Sequence, residues 1–326
     1  MIVDRVVSAQ VRREQNVGGE PHADERVPSR RSRFVNAMLR LLPSKKRLGS
    51  AAAVRDKARR LALRPASHLP RGLGGGLTVT LMHGAGWPVY HTAPAIRPYG
   101  GNIVVFLHGG GYIHEIVRAH WRFIGLLTRD GNRCVVPIYP LAPGATAADV
   151  VPAAGQLLRQ SMREAGDAKV IVIGNSAGAG LALAAAQWLR DREYRQPDGL
   201  VLISPGVNAS LNHPERRAIA ARDPLLDIPG TVEGARLYAG GLDPSHPYVS
   251  PLNGDFDGLA PMIVFSGTRD LLYPDSVALA DKARAAGVRV ELHLRKGQPH
   301  NYPGLPTPEG REARSIILRA ARRGLG

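Results

Sequence analysis

Sulfur, aromatic rings and acidic residues are all scarce in this chain. One cysteine, Cys134, occurs in 326 residues, which excludes an internal disulfide framework and fits a reducing compartment. It sits inside the apolar run CVVPIY and reads as a small core residue rather than a catalytic thiol. No stretch reaches the ~18 uncharged apolar residues a membrane-spanning helix needs. The N-terminus MIVDRVVSAQVRREQ lacks the continuous apolar segment of a secretory signal, so a cytoplasmic location is expected, with peripheral membrane association at most. Asp4, Glu14, Glu20, Asp24 and Glu25 break up the arginine-rich start, which argues against a transit peptide.

The shortage of acid leaves a formal net charge of +16. Residues 1–66 hold 16 Lys/Arg against 6 Asp/Glu, so +10 of that excess lies in the first fifth of the chain. Such a charge attracts anionic surfaces. It is equally the mark of a solvated leader with basic helix faces, which is the preferred reading. No aromatic interleaving or nucleic-acid module accompanies it, so no specific nucleic-acid partner is expected; weak association with an anionic surface remains the alternative. A homodimer is compatible with the sequence.

Residues 1–32 are polar and punctuated by Pro and Gly, and are expected to be disordered. Helical apolar spacing marks 34–42 and 51–64, within an N-terminal segment of 33–76. From residue 77 the rhythm changes. Short β-branched runs at 77–82, 102–108, 133–139, 169–174, 200–205, 262–267 and 288–294 alternate with helical stretches. Near-continuous apolar strands with helices between them predict a mostly parallel sheet covered on both faces. WPVYHT (87–92) is expected as an antiparallel edge strand. The segment 206–240 falls outside the β/α rhythm. With the N-terminal helices it is expected to form a cap over the carboxyl edge of a core made of 77–205 and 241–326, where open α/β sheets bind ligands.

The run VIVIGNSAGAGLALA places Ser176 between a strand and a helix, inside the pattern G-x-S-x-G (Gly174 to Gly178). A serine at such a turn has its hydroxyl exposed above the sheet, flanked by glycines that allow close backbone approach. Composition alone yields this pattern roughly 0.2 times per chain, so context must support it. A serine also needs a base. In the order serine, acid, histidine, His213 and His246 fall in or near the cap segment. His293 lies in a strand pattern, whereas His300 follows that strand in a loop. Asp270, just past MIVFSGTR, is preferred as the acid over Asp275, which reads as a helix cap. His108-Gly109-Gly110-Gly111 ends another strand and suits an oxyanion hole of backbone N–H groups. Chance supplies this quartet only about 0.02 times, so it is the more specific signal.

On these residues the chain resembles the bacterial hormone-sensitive-lipase-like esterases of the α/β-hydrolase fold. The resemblance runs from about 77 to 322 and includes HGGGY (108–112), YPLAP (139–143), GNSAG (174–178), LISP (202–205), SPL (250–252), GTRDLL (267–272) and QPHNY (298–302). It implies Ser176 as nucleophile, Asp270 as acid, His300 as base, and N–H groups of Gly109, Gly110 and Ala177 as the oxyanion hole. Three positions depart from the family pattern: Asn175 where an acidic residue is usual, Ala179 where glycine is usual, and Asn301-Tyr302 where Gly-Phe is common. The expected activity is hydrolysis of short- to medium-chain acyl esters through an acyl-enzyme, with no metal or cofactor. An acyltransferase or amidase with the same triad, or a non-catalytic receptor on the same fold, is the alternative.

Overall fold

The computed structural model describes Asp24 and residues 26–41, 44–63, 68–98 and 100–325. Eight strands form one sheet: β1 (Leu77–Gly84), β2 (Trp87–Pro94), β3 (Ile103–Leu107), β4 (Arg133–Pro137), β5 (Val170–Asn175), β6 (Gly199–Ile203), β7 (Met262–Gly267) and β8 (Val290–Arg295). Their order is β1-β2-β4-β3-β5-β6-β7-β8. The pairs β1/β2 and β2/β4 are antiparallel and the remaining neighbours parallel. WPVYHT is therefore the second strand, not the edge. The edge is β1, whose residues are mostly exposed on both faces.

The helices are α1 (Arg30–Leu39), α2 (Ser44–Leu48), α3 (Ala51–Ala62), α4 (Arg118–Arg129), α5 (Ala147–Glu164), α6 (Ala177–Arg190), α7 (Arg216–Arg222), α8 (Ile228–Ala239), α9 (Tyr273–Ala285) and α10 (Pro308–Arg323). None of them is long and apolar enough to cross a membrane. The central strands are buried throughout, because helices cover both faces. Val105 and Leu107 pack on the face covered by α5, α6 and α9. Val104 and Phe106 pack on the opposite face against α4 and α10, through Trp121, Ile124, Leu127 and Ile317. The resulting α/β-hydrolase sheet carries its loops at the carboxyl edge of β3, β5, β7 and β8.

Two stretches outside the β/α rhythm meet above that edge. Helices α2 and α3 pack on α8. Arg55 pairs with Glu233 at 3.3 Å, and Gly230 of α8 lies so close to the Leu48 backbone that a side chain there would collide with it. Helix α1 takes a different place. Most of the stretch expected to be disordered, 1–23 and 25, lies outside the described residues. Asp24 and 26–32, by contrast, are placed: Asp24 bridges to Arg295 beside β8, and α1 begins at Arg30 under a Ser29 cap. The inward residues of α1 are polar, Ser32 and Asn36. Polar groups buried this way must find partners. They find them at the loop after β8, so α1 lies there and against α10 rather than with the cap.

Candidate active site

Strand β5 ends at Asn175 and α6 begins at Ala177, so a single residue, Ser176, makes the turn between them. Its backbone sits at φ 53°, ψ −122°, a strained conformation for any residue with a side chain. Neighbouring backbone holds it there. The Ser176 N–H donates to Ile203 O at 2.8 Å, and its carbonyl accepts from Gly206 N at 3.1 Å. A Cβ at Gly174 would strike the Gly178 carbonyl and Ala179, and one at Gly178 would strike the carbonyls of Leu107 and His108. Both motif glycines are thus needed for close backbone approach.

His300 completes the constellation. Its Nε2 lies 3.0 Å from Ser176 Oγ and its Nδ1 3.0 Å from Asp270 Oδ1. Asp270 is fully buried and His300 nearly so. Burial alone would raise the Asp270 carboxyl; the charge and hydrogen bond of His300 outweigh it and hold the acid below its ordinary value. Burial pushes the His300 imidazole down, but Asp270, and more distantly the Asp223 charge, more than offset it and raise it above 6.5.

The competing acid is elsewhere. Asp275 Oδ2 pairs with Arg216 at 2.5 Å in a buried ion pair, and its Oδ1 accepts from Asn208. His293 stays in β8, stacked on Phe265 and paired with Glu291. His213 and His246 accept backbone N–H groups of Glu215 and Tyr248. Buried Cys134 lies beside Thr128, and burial lifts its thiol to about 11, so it is inert as a nucleophile at neutral pH.

The glycine loop requires one correction. The Gly109 N–H donates to Asn175 Oδ1 at 2.9 Å and is therefore spent. The N–H groups of Gly110, Gly111 and Ala177 make no hydrogen bond among the described residues. Gly110 (φ 139°) and Gly111 (φ 60°) adopt conformations open to glycine. Tyr139, from the YPLAP stretch, holds the base of this loop by donating to His108 O at 2.5 Å and stacking on the His108 ring.

Four further residues support the site: Asp223, Ser32 and Asn36 lie outside the motifs, and Gln298 lies within QPHNY. Asp223, in the cap segment, accepts from Leu225 and Leu226 N–H through Oδ1 and from Leu271 N–H through Oδ2. Burial, then the like charge of Asp270, raises its carboxyl to about 6. The D-P-L-L sequence signals its turn, but nothing local signals its reach to Leu271. On the other side, Ser32 Oγ donates to Gln298 Oε1 at 2.9 Å and Asn36 Nδ2 donates to Gly297 O at 3.0 Å. The Gln298 carbonyl accepts from Arg269 N–H, next to Asp270. Gln298 therefore links α1, the acid loop and the base loop.

A pocket of about 450 Å³ opens beside this site, lined by Phe106, Phe123, Ile203, Leu225, Asn175 and His300 among others. Among the described residues, no three His, Cys, Asp or Glu side chains converge as metal ligands.

A family model described by the α/β-hydrolase fold matches residues 104–304. This chain belongs to the α/β hydrolases, among the bacterial hormone-sensitive-lipase-like esterases. It is 35% identical over 237 residues to a triacylglycerol lipase of Mycobacterium tuberculosis, a match covering 72% of this chain and 49% of that protein; it thus spans about half the length of that relative. It is 33% identical over 232 residues to an acetyl-hydrolase of Streptomyces hygroscopicus, covering 68% of this chain and 76% of the relative. The crystal structure of an esterase from the bacterial hormone-sensitive lipase family superposes with a TM-score of 0.76 at 26% identity, covering 92% of this chain and all of the other. Esterase and lipase-type hydrolases are thus its kin in both sequence and shape.

Proposed function

We propose that the chain hydrolyses carboxylic esters through an acyl-enzyme, with Ser176 as nucleophile, His300 as general base and Asp270 as the acid that orients it. The observation that carries this reading is the continuous chain from Ser176 Oγ through His300 to Asp270, each contact 3.0 Å. His300 Nε2 takes the serine proton as Oγ attacks the carbonyl, and Asp270 stabilises the imidazolium that forms. The N–H groups of Gly110, Gly111 and Ala177 receive the developing oxyanion, because they are unspent and Ala177 stands at the N-terminus of α6. His300 then protonates the leaving alcohol. Water attacks the acyl-enzyme by the same route in reverse.

The apolar lining of the 450 Å³ pocket, which includes His300, suits the hydrocarbon part of a short- to medium-chain acyl ester. No acidic residue lines it, and Asn175 leaves the elbow neutral. Hydrolysis of p-nitrophenyl esters of increasing acyl length tests the reading, with Ser176→Ala as the control. Preferred turnover of short and medium chains is expected, with covalent fluorophosphonate labelling at Ser176. Labelling at Ser204 or Ser266 instead, or normal turnover by Ser176→Ala, would overturn it.

A further inference from the structure

Helix α1 is inside-out. Its buried face carries Ser32 and Asn36, and its exposed face carries large apolar side chains. Phe34 is 66% exposed and Met38 46%, and Leu41, just past the helix end, is 75% exposed. Spacings of four and three residues bring these three onto one stripe, because each residue turns the helix by about 100°. Ser32 and Asn36 fall on the opposite side. A stripe of this kind on a water-soluble surface marks a contact site rather than a random exposed residue.

The charges beside the stripe indicate which contact. Arg30 and Arg31 flank it on either side, and Arg33 and Arg40 lie further round the same helix, all exposed. None forms an ion pair with a described residue. No acid occupies the first turn, although three arginines do. Cations there oppose the helix dipole, so their placement does nothing for the helix itself. An apolar stripe bordered by arginines that pair with no described residue, on a chain of net charge +16, is complementary to an anionic lipid surface: apolar side chains enter the acyl boundary while guanidinium groups meet lipid phosphates.

We propose that α1 is an interfacial helix that docks this protein onto anionic lipid surfaces through Phe34, Met38 and Leu41, bordered by Arg30, Arg31, Arg33 and Arg40. The inference stands apart from the catalytic reading. Its inward face holds the loop that carries His300, so the docked helix stands between that loop and the lipid surface.

Flotation of the full-length chain with vesicles of phosphatidylcholine, alone or mixed with phosphatidylglycerol, tests the proposal without any turnover. Binding to the mixed vesicles that weakens with salt is expected, with little binding to phosphatidylcholine alone. Each arginine removed near the surface should lower partition about fivefold, so Arg30→Gln/Arg31→Gln/Arg33→Gln should lose about 100-fold. Phe34→Ser/Met38→Ser should also lose binding. A Phe34→Trp chain should shift its emission to the blue on adding mixed vesicles, since Trp87, Trp121 and Trp188 are buried and give a constant background. Equal partition of wild type and both multiple variants overturns the proposal. So does a wild-type dimer in sedimentation that Phe34→Ser/Met38→Ser converts to monomer without changing vesicle binding, since the stripe would then seat a second copy.

Discussion

The proposed nucleophile, Ser176, and its two partners are held in place by different kinds of structure. Ser176 is fixed by its own strand, its own helix and the neighbouring β6 backbone. Asp270 and His300 sit on loops that lean on distant chain. The acid loop is gripped from the cap segment, where Asp223 accepts the Leu271 N–H at 2.7 Å and Arg216 donates to the Leu271 carbonyl. The base loop is gripped from the N-terminus, where Ser32 and Asn36 bind Gln298 and Gly297. A strained elbow buried in a sheet has no freedom to lose. Loops retain conformational freedom unless other segments tie them, and the alignment of the proposed triad depends on those ties.

Removing the self-contained member should do the most damage to turnover and the least to the fold. Ser176→Ala is expected to lower ester turnover about 10⁶-fold with an unchanged melting temperature, because only a half-exposed hydroxyl is lost. A shifted melting temperature would show that the elbow serine also carries stability.

The two carboxylates should split the comparison next. Asp270→Asn keeps the shape but favours the wrong His300 tautomer, and turnover should fall about 10⁴-fold. Asp275→Asn leaves Arg216 buried and unpaired, so the cost should appear in denaturant unfolding, about 3–5 kcal/mol, with a much smaller change in kcat. A crippled kcat in Asp275→Asn with a mild Asp270→Asn would reverse the assignment.

The N-terminal tie predicts a smaller, purely positional effect. Ser32→Ala leaves the buried Gln298 amide oxygen without its donor, a loss of about 1–3 kcal/mol. We expect kcat to drop by roughly tenfold, the scale of a slight misplacement of catalytic groups, with KM nearly unchanged and Ser32→Thr recovering activity. A rise in KM alone would place Ser32 in substrate binding instead.

Removing the cap tie should move the pH profile as well as loosen the acid loop, since both Asp223 oxygens accept N–H groups and an amide can accept at only one of them. His300 must be neutral to accept the serine proton, so kcat/KM rises as pH passes up through its raised value, above 6.5. Asp223 helps raise that value. Asp223→Asn therefore should shift the acid limb to lower pH, and the difference should shrink below pH about 6, where the wild-type Asp223 is itself protonated. An acid limb that stays put would remove Asp223 from the electrostatics of the site.

What was legible beforehand follows the same division. Ser176, the glycines around it and the strand-helix rhythm show in the sequence because each is a local pattern: a β-branched run, a tight turn, then small residues for close packing. His300 shows only as a histidine after a strand. Asp270 and Asp275, five residues apart in the same strand-to-helix segment, differ by the partner each meets, and that partner comes from distant chain. The resemblance names Gly109 beside Gly110 as an oxyanion donor, and only the fold shows that Asn175 takes the Gly109 N–H. WPVYHT had the alternation of a strand, but edge or interior position depends on where β1 pairs. Helix α1 had apolar spacing that suggested a buried face.

Local propensity and periodicity therefore determined the alternating core, the elbow and the serine at its tip, since these depend on residues a few positions apart. Tertiary structure alone decided which acid meets His300, which glycine N–H groups are free, and which face of α1 turns inward. These outcomes rest on hydrogen bonds between residues tens to hundreds of positions apart, Ser32 to Gln298 and Asp223 to Leu271 among them. A buried polar group accepts whatever partner the finished fold brings to it, and no local pattern names that partner.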